Sequence, residues 1–232
     1  MLIPVTNQFA VGAAGAVVPD PVVPSYQTVY ENSTDGTSFT FSVTVASADD
    51  VLVFVPTGEG ATAGSLMSIS SVTLDGTGLT SQVYAAGTHA CPIGIYTTSG
   101  VSAGTYDLVV TFTDQTALRC AVGHWRLAGT TATASDTASD ISYGGTGLSV
   151  DVDIPANGLA LFGYVNGNTM AITVGGATAD YNQSTVGGEA TGIAGGVSSV
   201  VASTRNAHTI STSHTNSAQQ LGLVVAVFAG VA

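Results

Sequence analysis

A strict two-residue alternation, written twice in the chain, sets the strongest limit on the fold. Phe39, Phe41, Val43 and Val45 alternate with Ser38, Thr40, Ser42 and Thr44, and Leu148, Val150, Val152 and Ile154 repeat the spacing. Successive side chains of a strand point to opposite faces, so each run reads as a strand with one apolar and one wet face. The segments after each run repeat as well. A short turn, Asp49-Asp50 or Asn157-Gly158, leads into an apolar run ending in Phe, residues 51–54 or 159–162. Val72-Thr73-Leu74-Asp75-Gly76 corresponds to Ile172-Thr173-Val174-Gly175-Gly176, and the halves close on 117–129 and 218–230. Such self-similarity marks one structural unit used twice.

Further strand candidates are residues 70–74, 79–84, 93–97, 106–113 and 117–127, separated by turn formers such as Asp75-Gly76 and Ser99-Gly100. No window carries a helical apolar period, so the expected class is all-β and antiparallel. The reading gives each half about five strands, too few to cover both faces of a sheet. Two homologous halves can cover each other, or interleave into one two-sheet sandwich. The expectation is the latter, a jelly-roll-like β-sandwich over residues 37–232. Half one is 37–129, half two is 148–230, and the linker 130–147 runs over a surface.

Residues 1–36 read as an extended N-terminal arm. Pro4, Pro19, Pro21 and Pro24 remove backbone donors and favour extended chain over helix, and residues 10–18 hold only Gly, Ala and Val. Such a segment, with Tyr26, can anchor on a partner; the other reading is a frayed tail.

Charge narrows the partners. Lysine is absent, the cations are Arg119, Arg126 and Arg205, and fifteen acidic residues give a formal charge of −12. Charged residues are 8% of the chain, against about 25% in ordinary soluble domains. Nucleic acid and anionic membranes need a basic patch that three arginines cannot form. No run reaches the ~18 apolar residues of a membrane span, and Met1–Asn7 lacks the basic and apolar regions of a secretory signal.

Candidate chemistry is sparse. His89, Cys91, Cys120 and His124 could form a Cys₂His₂ zinc set, but without finger spacing. Cys91 and Cys120 could instead form a disulfide in an oxidising compartment, or remain two buried thiols. Asp151 and Asp153 share one strand face and could bind Ca²⁺, although Ser42 and Thr44 occupy the matching places in half one. No Gly-x-Ser-x-Gly elbow occurs, and His208 and His214 fall in a Thr/Ser-rich strand expected to face water. The glycines at 144–145, 187–188 and 192–196 precede no helix and carry no Lys or Arg, so they read as loop tips. Tyr84, Tyr96, Tyr106, Trp125 and Tyr181 do not cluster in sequence and read as core or rim. No catalytic residue, metal or cofactor is assigned.

Ser-Phe-Thr-Phe-Ser-Val-Thr-Val with Asp-Asp-Val-Leu-Val-Phe-Val, then Ser-Val-Thr-Leu-Asp-Gly-Thr-Gly-Leu-Thr and Ser-Ala-Gly-Thr-Tyr-Asp-Leu-Val-Val-Thr-Phe, carry a resemblance. Over residues 37–230 the chain resembles the β-sandwich modules of tailed-phage virion proteins and bacterial cell-surface proteins. The resemblance implies a non-enzymatic structural role, and it transfers no catalytic residue. A virion protein is made in the host cytoplasm and needs no signal. The expectation is therefore a capsid decoration protein on the virion surface, bound by its arm to a capsid or other virion protein. It would form a homo-oligomer, with a trimer as one form. The alternatives are a tail or head fibre component, or a glycan-binding adhesive module at the cell surface.

Overall fold

The alternating run of half one is a strand in which Phe39, Phe41, Val43 and Val45 are buried and the intervening hydroxyls are exposed. The structure, a computed structural model, describes residues 18–48, 50–85, 90–168, 171–184, 191–215 and 220–231. Among these are seventeen strands and no helix. The first half holds β1 (Val23–Asn32), β2 (Ser38–Val45), β3 (Val51–Gly60), β4 (Ser68–Leu74), β5 (Thr77–Gly78), β6 (Thr80–Ala85), β7 (Ile93–Thr98), β8 (Gly104–Thr113) and β9 (Ala117–Ala128). The second holds β10 (Asp136–Ser142), β11 (Gly147–Ile154), β12 (Leu159–Asn166), β13 (Thr173–Gly175), β14 (Thr178–Ser184), β15 (Gly192–Val197), β16 (Arg205–Ser213) and β17 (Leu221–Phe228).

All pairings are antiparallel, and they make four sheets. In the first half, β1-β9-β3-β7-β6 lies over β2-β8-β4-β5; in the second, β10-β17-β12-β15-β14 lies over β11-β16-β13. The short β5 pairs with β4 while β6, one residue later, pairs with β7, so together they form one strand that changes sheets. Counted that way, each half has eight strands in the order 1-8-3-6-5 over 2-7-4, the order of a jelly roll. The chain is an all-β antiparallel sandwich protein.

Two expectations are corrected. The halves do not interleave: each is a complete jelly roll of eight strands, and the two stack back to back through their five-stranded sheets. The repeat also begins one strand earlier than its apolar pattern shows. Residues 23–32 of the expected arm form β1, with Pro24 and Tyr26 on it, and the linker contains β10. The two strands hold the same place, β1 beside β9 and β10 beside β17. Pro19 and Pro21 precede β1, while Pro4 lies outside the described residues.

This stacking explains the continuous apolar runs. A five-stranded sheet is covered on both faces, so alternate side chains enter different cores. From β3, Val51, Val53 and Val55 enter a central core between the jelly rolls, and Leu52 and Phe54 enter the core of the first. From β12, Leu159, Leu161 and Val165 enter the central core, and Ala160, Phe162 and Tyr164 that of the second. Each fully buried Val, Leu or Phe contributes about 1.5–3 kcal/mol. The outer sheets keep one wet face, as Ser149, Asp151 and Asp153 show on β11.

Polar groups fix how the two units meet. Trp125 donates its Nε1–H to Asp180 Oδ2 at 2.7 Å, and its ring lies 5.5 Å from Tyr26 and 5.6 Å from Tyr181. The Thr191 hydroxyl donates to Glu59, which also pairs with Arg119 at 2.9 Å. Gln220 Oε1 accepts from the Ala90 N–H at 2.6 Å. Residues ahead of β10 are held by Thr97, donating to Ala132 O, and by Gln82, accepting from the Ala134 N–H.

Candidate functional site

The two jelly rolls point the same way, which gives the molecule two distinct ends. At one end Val23 lies beside Ala128, Asp136 beside Val227, and Leu159 beside Phe228. The chain enters β1 here, and β17 finishes here. The Asp20 N–H bonds to Val231 O at 2.9 Å, the Val22 N–H to Asn157 O at 2.9 Å, and Asn157 Nδ2 donates to Pro19 O at 2.7 Å. Val22 is buried in the central core. The root of the arm is thus pinned across the second jelly roll. Val18, Val23 and Val231, three of the exposed large apolar side chains, belong to this root end.

At the far end Gly60 lies beside Ala117, Ala85 beside Ile93, and Asn166 beside both Gly192 and Leu221. The connections β3–β4, β6–β7, β12–β13, β14–β15 and β16–β17 are made there. Leu66 and Tyr143, also exposed, belong to this end, where a Cβ on Gly64 would come 3.9 Å from the Tyr143 hydroxyl.

Both described cavities open at the root end. One, of about 400 Å³, is lined by Ser135, Asp136, Asp153, Pro155, Thr204 and Asn206. The other, of about 290 Å³, lies among Leu74, Asp75, Leu79, Val101 and Tyr106. Asp136 and Asp153 both line the first of these, but their carboxylates are engaged by backbone N–H groups. Asp136 Oδ2 accepts the Asp153 N–H at 2.7 Å, Asp153 Oδ1 accepts the Ala207 N–H at 2.8 Å, and Asp151 Oδ1 accepts the Thr209 hydroxyl at 2.6 Å. Asp151 and Asp153 tie β11 to β16. Among the described residues no three metal-ligating side chains come together.

The candidate zinc and disulfide residues are dispersed. Cys91 is in the central core, whereas Cys120 and His124 are in the core of the first jelly roll; His89 lies outside the described residues. Of the alternatives left open for Cys91 and Cys120, the structure has two free, buried thiols and not the possible disulfide. Desolvation pushes both thiols far above their ordinary range, so neither is a ready nucleophile.

The histidines differ from expectation. His208 is half-buried, its Nε2 2.8 Å from Gly176 O. His214 is buried rather than wet, its ring 6.4 Å from Tyr164. His124 is 1% exposed, stacks on Phe54 at 4.7 Å, and faces Tyr30 at 6.1 Å. Neither of its ring nitrogens has a hydrogen-bond partner. Burial first, and the Arg126 charge second, lower its pKa to about 4. Its counterpart is Val225, since Phe54 faces His124 and the equivalent Phe162 faces Val225.

Two features were missed in the sequence. Residues 192–197 are not a loop tip but the inner strand β15, where Tyr181 needs Gly195 and the Thr178 carbonyl needs Gly196; Gly187 and Gly188 lie outside the described residues. Trp125 and Tyr181, read from the sequence as core or rim, are buried together in the central core. The core of the second jelly roll also holds Tyr164, Asn166, Thr212 and His214, all buried, where the first has Pro56, Gly58, Val110 and Phe112. No periodic signal announces such a replacement.

No family model, curated protein or solved structure matches this chain. Among the described residues no helix is long and apolar enough to cross a membrane.

Proposed function

We propose that this chain is a non-enzymatic structural protein of a phage virion, a capsid decoration protein that binds another virion protein through residues 1–22. The observation that carries the reading is the polarity of the double jelly roll. The root of the arm is pinned at one end beside three exposed valines, and Leu66 and Tyr143 are exposed at the other. The large sheets are consumed by packing against each other, which leaves ends, edges and hydroxyl-rich outer faces for contact. Lysine-free, acidic faces suit display in solvent more than capture of an anionic partner.

The test is co-sedimentation with the purified particle. The full chain pellets with particles, whereas a chain beginning at Val18, which keeps β1 and the pinned root, stays folded in the supernatant. Equal pelleting of both, or of neither, overturns the reading. Leu66 and Tyr143 favour one second reading, an adhesive module that meets a glycan with its far end. In that case glycan binding survives removal of the arm.

A further inference from the structure

The two jelly rolls meet along two equivalent seams, and only one of them is closed. At the first, β10 is the edge strand of its sheet and is sealed on both sides. The residues ahead of it bond to Gln82 and Thr97 of the first jelly roll, and Asp136 on β10 accepts the Asp153 N–H of β11. At the second seam the corresponding edge strand is β1. It is joined to β9, and among the described residues no strand pairs with its outer edge. Its links across the seam are ring contacts, with Tyr26 6.0 Å from Tyr181 of β14. The outer edge of β14 is likewise unpaired and lies on the same side, because the two five-stranded sheets stack with β1 over β14.

An edge strand carries a row of backbone donors and acceptors, and soluble proteins guard such rows with lysine, proline, bulges or covering chain. On β1 the guards occupy the first half: Pro24, and the bulge between Tyr26 and Thr28. From Thr28 to Asn32 there is no proline, no bulge and no lysine, and one charged side chain, Glu31.

We propose that this side of the molecule is a self-association surface, on which residues 28–32 of β1 pair antiparallel with the same residues of a second copy across a two-fold axis. That pairing continues the five-stranded sheet of the first jelly roll into the second molecule. Two arguments select a second copy. The chain's own arm is led away from this edge, because Pro19 to Val22 are pinned toward Val231 and Asn157, near the middle of the root end. An antiparallel edge is also self-complementary about a two-fold axis, so its natural counterpart is itself. Residues 28–32 carry one carboxylate, Glu31, and pairing centred on Tyr30 sets it opposite Val29 of the second copy rather than opposite another carboxylate.

The test is solution mass by light scattering and sedimentation, without particles, so its outcome is independent of the virion reading. The full chain and a chain beginning at Val18 both run at twice the protomer mass, which is 23.0 kDa for the full chain. Pairing of 28–32 with itself sets Thr28 of one copy opposite Asn32 of the other, so Thr28→Asp combined with Asn32→Asp sets carboxylates of both copies against each other and weakens the dimer by about tenfold or more, with unchanged melting. As a positive probe, Thr28→Cys combined with Asn32→Cys places a thiol of each copy opposite one of the other and gives a disulfide-linked dimer under mild oxidation, against a silent background because Cys91 and Cys120 are buried. A full chain that is monomeric at 100-fold dilution and at concentration alike overturns the proposal. So does a trimer, a dimer that Thr28→Asp combined with Asn32→Asp leaves intact, or a dimer lost when residues 1–17 are removed.

Discussion

Acid should weaken the first jelly roll through one side chain, His124. The imidazole is sealed between Phe54 and Tyr30 with no hydrogen-bond partner, so the folded protein holds it neutral down to about pH 4, while its ordinary value is 6.5. Below about pH 6.5 the unfolded chain takes a proton that the folded chain refuses, so stability falls as pH drops from 6.5 to 4 and this contribution flattens below that. A difference of about 2.5 pH units at about 1.4 kcal/mol each amounts to roughly 3 kcal/mol. The other charged groups nearby are Arg126 and the Asp50 carboxylate it pairs with. The variant is His124→Val, which installs the residue that the second jelly roll already has at Val225. Urea unfolding of both proteins at pH 7.5, 5.5 and 4.2 separates this group from the carboxylates common to both. The difference in unfolding free energy between variant and parent should grow by about 2–3 kcal/mol, in favour of the variant, from the highest pH to the lowest. Parallel losses in the two proteins would refute the reasoning.

Other perturbations act through single contacts. Trp125→Phe removes the bond to Asp180 and should cost about 1–3 kcal/mol; chemical denaturation followed by circular dichroism measures it. Gly196→Ala drives a Cβ into the Thr178 carbonyl oxygen between β14 and β15, and should lower stability by about 3 kcal/mol or more, read as a lower melting temperature and poorer soluble yield. Cys91 and Cys120 should ignore a thiol reagent until the protein unfolds, then react together; immediate labelling of either in the native protein would contradict their burial.

The alternation at residues 38–45 and 148–154 was enough to find β2 and β11, because an outer strand has one wet face and advertises it in hydroxyls. The runs at 51–55 and 159–162 revealed strands covered on both faces, yet not what covered them. The second layer is another copy of the same unit, and alternation within one strand says nothing about which neighbour receives each side chain. β1 was read as arm for a local reason. Pro24 suggested loose chain, and the bulge after Tyr26 puts Tyr26 and Val29, three residues apart, on one face, which erases the period of two. β15 was hidden because glycine is a poor strand former, and its glycines answer to Tyr181 and Thr178, which lie outside any local pattern around 192–197. The candidate site residues behaved similarly. Asp151 and Asp153 were correctly placed on one strand face, but their partners Thr209 and Ala207 come from β16, beyond the reach of spacing arguments.

The polarity of the molecule is tested most directly by cysteine protection on the particle. Native thiols are buried, so Val18→Cys at the root end and Leu66→Cys at the far end give single reactive positions. Both should label fully in the free protein. On purified particles carrying the protein, Leu66→Cys should label as before and Val18→Cys should be protected. Protection of Leu66→Cys with an open Val18→Cys, or equal labelling of the two, would contradict attachment through the arm root.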